Sequence, residues 1–529
     1  MAKKTVSPRS RVLQKKRNVD ELSDVQPIPM ATIDVGAHSA RLLIAEVNRR
    51  DGSFNPLEEL EKPVPLGSNV FRNAQISDES IQILSEVLYN FRLKMDEYGV
   101  VHYKAIATSA VREAENADIF IERIRHATGL DIQIFAGTDE ARLDYIAVNE
   151  TVPQHYGFHS ASALIADIGT GACQVSAYNC GELSFTETLK VGTLRALEQM
   201  HGTYSSSAIN YYTSIMIDNA FSELRSISAN LKAEMIIAMG TSARTLLTLL
   251  KGRRSTAAVA CVTKEEFFLL HSKVSDLTYE QISEKYALPP DLAEMVQPCC
   301  LILDNLLRLT DAEKILIPMI STKYLLLRDF INVSFGIPDS FEQQLHGLIM
   351  STAARYRCAN EYCERTTAFA AELFRKLEKL HGLGHSELLI LTIAARLHKC
   401  GLFINNQAYH KHSSYIIQNT EIPGISAEQR KIAALVVRYH RKSPPKMLHP
   451  EYAGLSREDR SLVNKLAAIL RIACALAPMA LPPEELTVKL EPAKVLIRLG
   501  DTVSYFPESM SEVDTDYFRS VYARKIIFS

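Results

Sequence analysis

Two short stretches of this sequence carry the residue types of phosphate and metal chemistry. They are Asp34-Val-Gly-Ala-His-Ser39 and Asp167-Ile-Gly-Thr-Gly171. Each follows a run of mostly apolar residues that reads as a buried strand, and each passes from a carboxylate into a glycine turn. A glycine turn between strands exposes backbone N–H groups with little side-chain obstruction, a concavity suited to phosphate oxygens. The aspartate before it offers the hard oxygen that Mg2+ prefers. One such turn is weak evidence, because most are only tight turns; two in corresponding positions of a repeat say more. If they face one another, Gly36, Ala37, His38 and Ser39 with Gly169, Thr170 and Gly171 hold phosphate, while Asp34 and Asp167 hold Mg2+.

Two further side chains belong with this set. Glu140 falls in the first turn of a helix just beyond a strand, at the edge where an α/β fold opens its cleft, which makes it the best general-base candidate. The same placement is also routine complementation of a helix dipole. Arg112, after Thr108-Ser-Ala-Val111, can grip a phosphate with two parallel hydrogen bonds or pair with a carboxylate. Residue type leaves both readings open.

The elements that must position these groups follow from periodicity. Met30–Val35 and Leu42–Val47 read as strands flanking the first turn. Ser77 is a plausible N-cap for a helix whose Ile81, Leu84, Leu88, Phe91 and Met95 share one face and whose end is Gly99. Lys104–Ala107 and Ile132–Phe135 are predicted strands around a helix from about Asn116 to Gly129, and Thr138 is predicted to cap the helix that carries Glu140. The pattern restarts at Ala163–Ile168 and Val175–Tyr178, and closes with Met235–Met239, the turn Gly240–Ser242 and a helix. A duplicated α/β domain with a cleft between its halves is the economical reading. Beyond about residue 330 amphipathic helices take over, among them Ala368–Leu380, Glu387–Leu397 and Leu462–Leu476, before a small sheet at Leu486–Leu490 and Val495–Leu499. The predicted organisation is a basic flexible tail over 1–28, α/β halves over 29–155 and 156–333, and a helical region with a small sheet over 334–529.

Composition bounds the partners. The chain has 529 residues, 47% hydrophobic and 23% charged, a soluble globular profile long enough for three or four domains. Its formal net charge of −2 excludes capture of nucleic acid or anionic membrane by the whole surface, so a polyanion must be held by a local patch. No run reaches the ~18 uninterrupted apolar residues of a membrane span. The basic residues Lys3, Lys4, Arg9, Arg11, Lys15, Lys16 and Arg17 precede no apolar core of an export signal. The nine cysteines lack paired CxxC spacing, and free thiols in a reducing cytoplasm are expected.

Together these residues resemble the exopolyphosphatase / guanosine pentaphosphatase family of the actin, sugar-kinase and heat-shock ATPase superfamily. The resemblance rests on Ala31-Thr-Ile-Asp-Val-Gly-Ala-His-Ser-Ala-Arg41, Ala107-Thr-Ser-Ala-Val-Arg-Glu-Ala-Glu-Asn116, Gly137-Thr-Asp-Glu-Ala-Arg142, Asp167–Gly171 and Val191-Gly-Thr-Leu-Arg195. In the helical region it continues through Leu397-His398, Tyr409-His-Lys-His-Ser413 and Arg438-Tyr-His-Arg-Lys-Ser-Pro-Pro-Lys446. It implies duplicated actin-like (ribonuclease H-like) domains followed by an all-α HD-like domain. It further implies a Mg2+-dependent hydrolase of terminal phosphate from inorganic polyphosphate, with the 5′-phosphate of guanosine pentaphosphate as a further substrate, in a homodimer. Glu140 falls on the family's catalytic glutamate, Asp167 on its magnesium-binding aspartate, and the two turns with Arg112 on its phosphate-binding positions.

The sequence departs from the family pattern at defined points. The usual Asp-Ile-Gly-Gly-Gly-Ser-Thr-Glu is Asp167-Ile-Gly-Thr-Gly-Ala-Cys-Gln174, so Ala172 and Cys173 lose hydroxyls and Gln174, at a phosphate-binding position, loses a charge. Ala243 and Arg244 stand where Gly-Thr is usual. These changes support a second reading, a weakened member that senses polyphosphate or guanosine tetra/pentaphosphate. In the helical region, Arg365, Lys399 and Cys474 replace three of the metal ligands of an HD-type site, and His398 alone remains, so this region is expected to be non-catalytic. Arg365 and Lys399, with Lys411, Arg438, Arg441 and Lys442, then form either ordinary solvated cations or a basic channel for a long polyphosphate.

Overall fold

The computed structural model describes residues 27–198, 206–227, 232–252, 257–337, 341–479, 482–500 and 515–528. The basic tail expected over 1–28 lies almost wholly outside the described residues. Contacts divide the chain into two units. The first comprises the residues up to Tyr156, Ile165–Val175 and Thr188–Asp339; the second comprises Gly157–Leu164, Ser176–Glu187 and Ser340–Ser529.

Two mixed sheets show the repeat. In the first, β1 (Ile28–Val35) pairs antiparallel with β2 (Ser39–Val47), which pairs antiparallel with β3 (Phe54–Pro63). On its other side β1 runs parallel to β4 (His102–Ala107), and β4 parallel to β5 (Ile132–Ile134), giving the order β3-β2-β1-β4-β5. The second sheet contains β6 (Ser162–Ile168), β7 (Cys173–Asn179), β8 (Glu182–Leu189), β9 (Met235–Met239), β10 (Val259–Thr263) and β11 (Lys314–Pro318). Its order is β10-β11-β9-β6-β7-β8. Read from β8, this is the first sheet again: a three-strand meander and two further strands, with β10 added at the edge. The duplication expected from the two Asp-x-Gly turns is therefore present strand for strand.

Local sequence explains most elements. Ser77 caps the helix Asp78–Glu97 by accepting the Ser80 N–H at 3.2 Å, and Ile81, Leu84, Leu88, Phe91 and Met95 are its buried stripe. The helix carrying Glu140 runs Gly137–Thr151 and is entered from Ala136, so Thr138 is inside it and buried rather than the cap. The Asp139 carboxylate takes the Ala136 N–H at 3.3 Å and does the capping that Thr138 was expected to do. The strand β3 was not expected, because its Glu-rich sequence lacks apolar alternation. It is an edge strand, and its acids are used sideways: Glu61 pairs with Arg41 at 2.8 Å and Glu59 with Lys323.

The first unit is also held between its halves. Arg195, from the Val-Gly-Thr-Leu-Arg stretch, is 6% exposed. Its Nε donates to Gly171 O at 2.5 Å, its Nη2 to Glu113 Oε1 at 2.6 Å, and its guanidinium lies 4.2 Å from the Phe71 ring centroid. Glu113 and Phe71 come from the first half, Gly171 and Arg195 from the second.

The second unit is mostly helical, with Glu361–Lys376, His385–Leu397, Tyr409–Gln418, Ala427–Tyr439 and Arg457–Leu476 as its main helices. The helix expected over Ala368–Leu380 is broken at Leu377 into Glu361–Lys376 and Glu378–His381. Arg457–Met479 is long and apolar enough to cross a bilayer, but 61% of its apolar window is buried. Arg471 inside it donates to the Tyr439 and Lys442 carbonyls at 2.9 and 2.7 Å, as suits a core helix. The expected pair β12 (Leu486–Leu490) and β13 (Lys494–Leu499) is extended by β14 (Lys525–Phe528).

Replacing Arg195 by Met keeps much of its volume but leaves Glu113 and the Gly171 carbonyl without a buried partner. Denaturant unfolding should show a loss of about 3 kcal/mol, against less than about 1 kcal/mol for Arg123→Met, whose partner Asp78 is exposed.

Candidate active site

Both halves end their first strand in the same turn. The Gly36 N–H donates to Ser39 O at 2.9 Å, and the Gly169 N–H to Ala172 O at 3.0 Å. One sequence offset relates Asp34 to Asp167, Gly36 to Gly169 and Ser39 to Ala172. The two turns and both aspartates line a single cleft of about 170 Å3, together with Glu140, Ser109 and Gly240. Gly240 has φ 96°, and a Cβ there would come within 2.5 Å of Ile168 O and 2.9 Å of Asp167 Oδ1. Only glycine lets this third turn approach Asp167 so closely.

Glu140 does not serve the helix terminus, because Asp139 already does. Its carboxylate instead accepts from Arg112 Nη1 at 2.9 Å, and the same Nη1 donates to Phe135 O at 2.6 Å. Arg112 thus pairs with a carboxylate, and its Nη2 is buried with no partner. Burial raises the Glu140 carboxyl to about 7, against the pull of Arg112 and with added repulsion from Asp167 and Asp34. Burial likewise raises Asp167 to about 6, opposed by Arg244 and reinforced by Asp34. Asp34 is raised by burial although Arg41 lies 3.4 Å away.

One cleft residue was missed. Asp144 is 6% exposed and lines the same cavity, and its carboxyl is raised well above the usual range by burial, then by Asp167 and Glu140. The signal was available: it lies four residues after Glu140 and so on the same helical face. Gln174 lies elsewhere. It is 2% exposed on β7, its Oε1 accepts from Thr188 Oγ1 at 2.5 Å, and it is not among the residues lining the cleft. His38 reaches the cleft, where its Nε2 lies 3.7 Å from Asp291. Arg244 donates to Ile320 O at 2.6 Å and to Thr241 Oγ1 at 3.1 Å.

These carboxylates are a hard, all-oxygen donor set, which fits a divalent cation such as Mg2+. Asp34 and Asp167 are the set's two strand-end members, and the two amide turns line the same cleft.

The six cations of the second unit divide into two groups. Lys411, Arg438, Arg441 and Lys442 surround His410, whose imidazole is pulled down to about 4 by burial and by these four charges. Arg365 is tied to Ala477 O at 2.8 Å and to Glu361 at 3.1 Å, and Lys399 sits 3.5 Å from the Tyr362 ring centroid. All nine cysteines are free.

Comparison with known proteins gives consistent results. A family model described as the Ppx/GppA phosphatase family matches residues 44–320, and one for Ppx/GppA phosphatase domain III matches 348–484. The chain is 23% identical over 498 residues to a guanosine-5′-triphosphate,3′-diphosphate pyrophosphatase of Vibrio vulnificus, covering 90% of each chain. A protein of the same name from Pseudoalteromonas translucida is 24% identical over 468 residues, covering 87% of this chain and 90% of that one. Among solved structures, an exopolyphosphatase from Cytophaga hutchinsonii superposes with TM-score 0.51 at 21% identity, covering 58% of this chain and 98% of that one. That likeness shows a shared fold over the matched part, and together with the two mixed sheets it fits the expected actin-like fold.

The crowded carboxylates have a thermodynamic consequence. Each has a folded value above its unfolded one, so the folded protein binds protons more tightly. The stability this gives is complete below about pH 4 and is lost as pH rises toward about 7. After chelation of divalent ions, Tm should therefore fall between about pH 5 and about pH 8, and Mg2+ should restore more of it at the higher pH. Differential scanning calorimetry checks both.

Proposed function

This chain belongs to the Ppx/GppA phosphatase family, and on that premise we propose that it removes the terminal phosphate of inorganic polyphosphate, and also the 5′-phosphate of guanosine pentaphosphate. The names of its relatives support both substrates, since the curated ones are pyrophosphatases of guanosine pentaphosphate and the structural one is an exopolyphosphatase.

The observation that carries the reading is Glu140. A carboxyl raised to about 7 is about half ionised at neutral pH, and its ionised form is basic enough to take a proton from water. Arg112 fixes its direction, so the water it accepts from is aimed into the cleft. The N–H groups of the Gly36–Ser39 and Gly169–Gly171 turns bind oxygens of the terminal phosphate and hold it in line. A phosphoanhydride has a good leaving group, and positioning with charge neutralisation supplies most of the remaining barrier reduction. Bound Mg2+ supplies the neutralisation of the phosphate charge. Asp144 brings to the cleft, from the helix that carries Glu140, the carboxyl group that Gln174 lacks.

Release of phosphate from long-chain polyphosphate, assayed over a Mg2+ titration, separates the parts. Glu140→Gln should lower kcat at least about a hundredfold with little change in binding. Asp144→Asn should shift the Mg2+ requirement upward about tenfold or more. Gln174→Glu should gain little, because its side chain points to Thr188. Polyphosphate binding by wild type without release at any divalent concentration would favour the sensor instead.

A further inference from the structure

The second unit gathers a different donor set. His398, at the C-terminal end of helix His385–Leu397, His440, at the end of Ala427–Tyr439, and Cys474, within Arg457–Leu476, bring one ligand atom each to within 4.8 Å of one another. His398 is 0% exposed and His440 4%.

The two imidazoles are held in one and the same way. His398 Nδ1 lies 2.6 Å from Ala395 O and His440 Nδ1 lies 2.5 Å from Val437 O, each the carbonyl three residues back. Those carbonyls fix Nδ1 as the protonated nitrogen and leave a lone pair on Nε2. Among the described residues His398 Nε2 is buried with no hydrogen-bond partner. The hydrogen bond of His440 Nε2 is with Tyr409 Oη, at the long distance of 3.5 Å. The rings meet edge to face, 5.2 Å between centroids. Both stand at helix C-termini, whose negative ends favour a cation. Burial pulls both histidines down, so both are neutral and able to ligate.

We propose that His398 Nε2, His440 Nε2 and Cys474 Sγ bind one Zn2+, with a fourth position open to water beside Tyr409. Two imidazoles and a thiolate are the donors a borderline-soft ion selects, quite unlike the all-oxygen set of the cleft. Tetrahedral zinc at about 2.0–2.3 Å from N and S needs its ligands about 3.3–3.6 Å apart, which side-chain adjustment of the observed triangle would have to supply. Binding exchanges the Cys474 thiol proton for the metal, so one proton is released per ion. The Lys399 ammonium rests on the Tyr362 ring; burial pushes the Cys474 thiol up to about 12, and the Lys399 charge opposes that shift only in part. The ion would staple three core helices together, and Arg365 and Lys399 would then not be substitutes for a missing metal.

The full-length protein, stripped with chelator and reloaded with Zn2+ or Co2+, tests this. About one zinc per chain should remain after gel filtration in excess Mg2+, and Co2+ should give a near-ultraviolet thiolate charge-transfer band with tetrahedral visible bands. Cys474→Ser, close to isosteric, should lose the charge-transfer band and weaken Zn2+ binding at least about tenfold. Asp144→Asn, in the cleft, should change neither. Absence of stoichiometric zinc in wild type, a cobalt spectrum without the thiolate band, or undiminished binding by Cys474→Ser would each overturn the proposal.

Discussion

Of the six carboxyl groups that line one small cleft, four, Asp34, Glu140, Asp144 and Asp167, are buried enough for burial to push them upward, and their mutual repulsion is the constraint on the site. Burial alone would neutralise them, since isolated carboxylates are costly away from water. Three arginines moderate that cost: Arg41 beside Asp34, Arg112 on Glu140, and Arg244 acting on Asp167. The result is graded rather than uniform. Glu140 is brought to about 7 and Asp167 to about 6, so the set is poised for a proton or a cation at neutral pH. The duplicated sheets bring a strand-end aspartate and an amide turn from each half to this point, and Arg195 ties the second turn to the first half.

Much of this was legible in the sequence because it depends on local backbone chemistry. Asp34-Val-Gly and Asp167-Ile-Gly announce strand, carboxylate and turn within a few residues, and their equal spacing from the following hydrogen-bonded partners marks the repeat. Ser77 and its apolar stripe gave one helix face correctly for the same reason. What was not legible depends on partners distant in sequence. Whether Glu140 caps a helix or faces a cleft is decided by Asp139 and Arg112 together. Gln174 looked like a cleft residue until its hydrogen bond to Thr188 placed it elsewhere. The strand β3 was hidden because an edge strand with one solvated face needs no apolar alternation, and its glutamates find cations on neighbouring elements. Asp144 was overlooked although its spacing from Glu140 puts it on the same helical face, and its burial then sets it apart from the other carboxylates.

The two units separate hard from soft chemistry. The cleft offers mainly oxygen ligands, from carboxylates and hydroxyls, beside the amide turns and His38. The helical unit offers imidazole nitrogen and a thiol at its core, and gathers Lys411, Arg438, Arg441 and Lys442 around His410. The core of the helical unit is not apolar at this point. Two histidines locked at Nδ1 and open at Nε2 keep a defined coordination geometry that a purely structural packing of rings would not require.

The central claim is that burial among carboxylates makes Glu140 a base near neutrality. Isotope-edited infrared titration of the Glu140 carboxyl in the metal-free protein, assigned by its loss in Glu140→Gln, measures this directly. A midpoint near 7 is expected; a midpoint at the ordinary 4.5 of an unperturbed glutamate would contradict it.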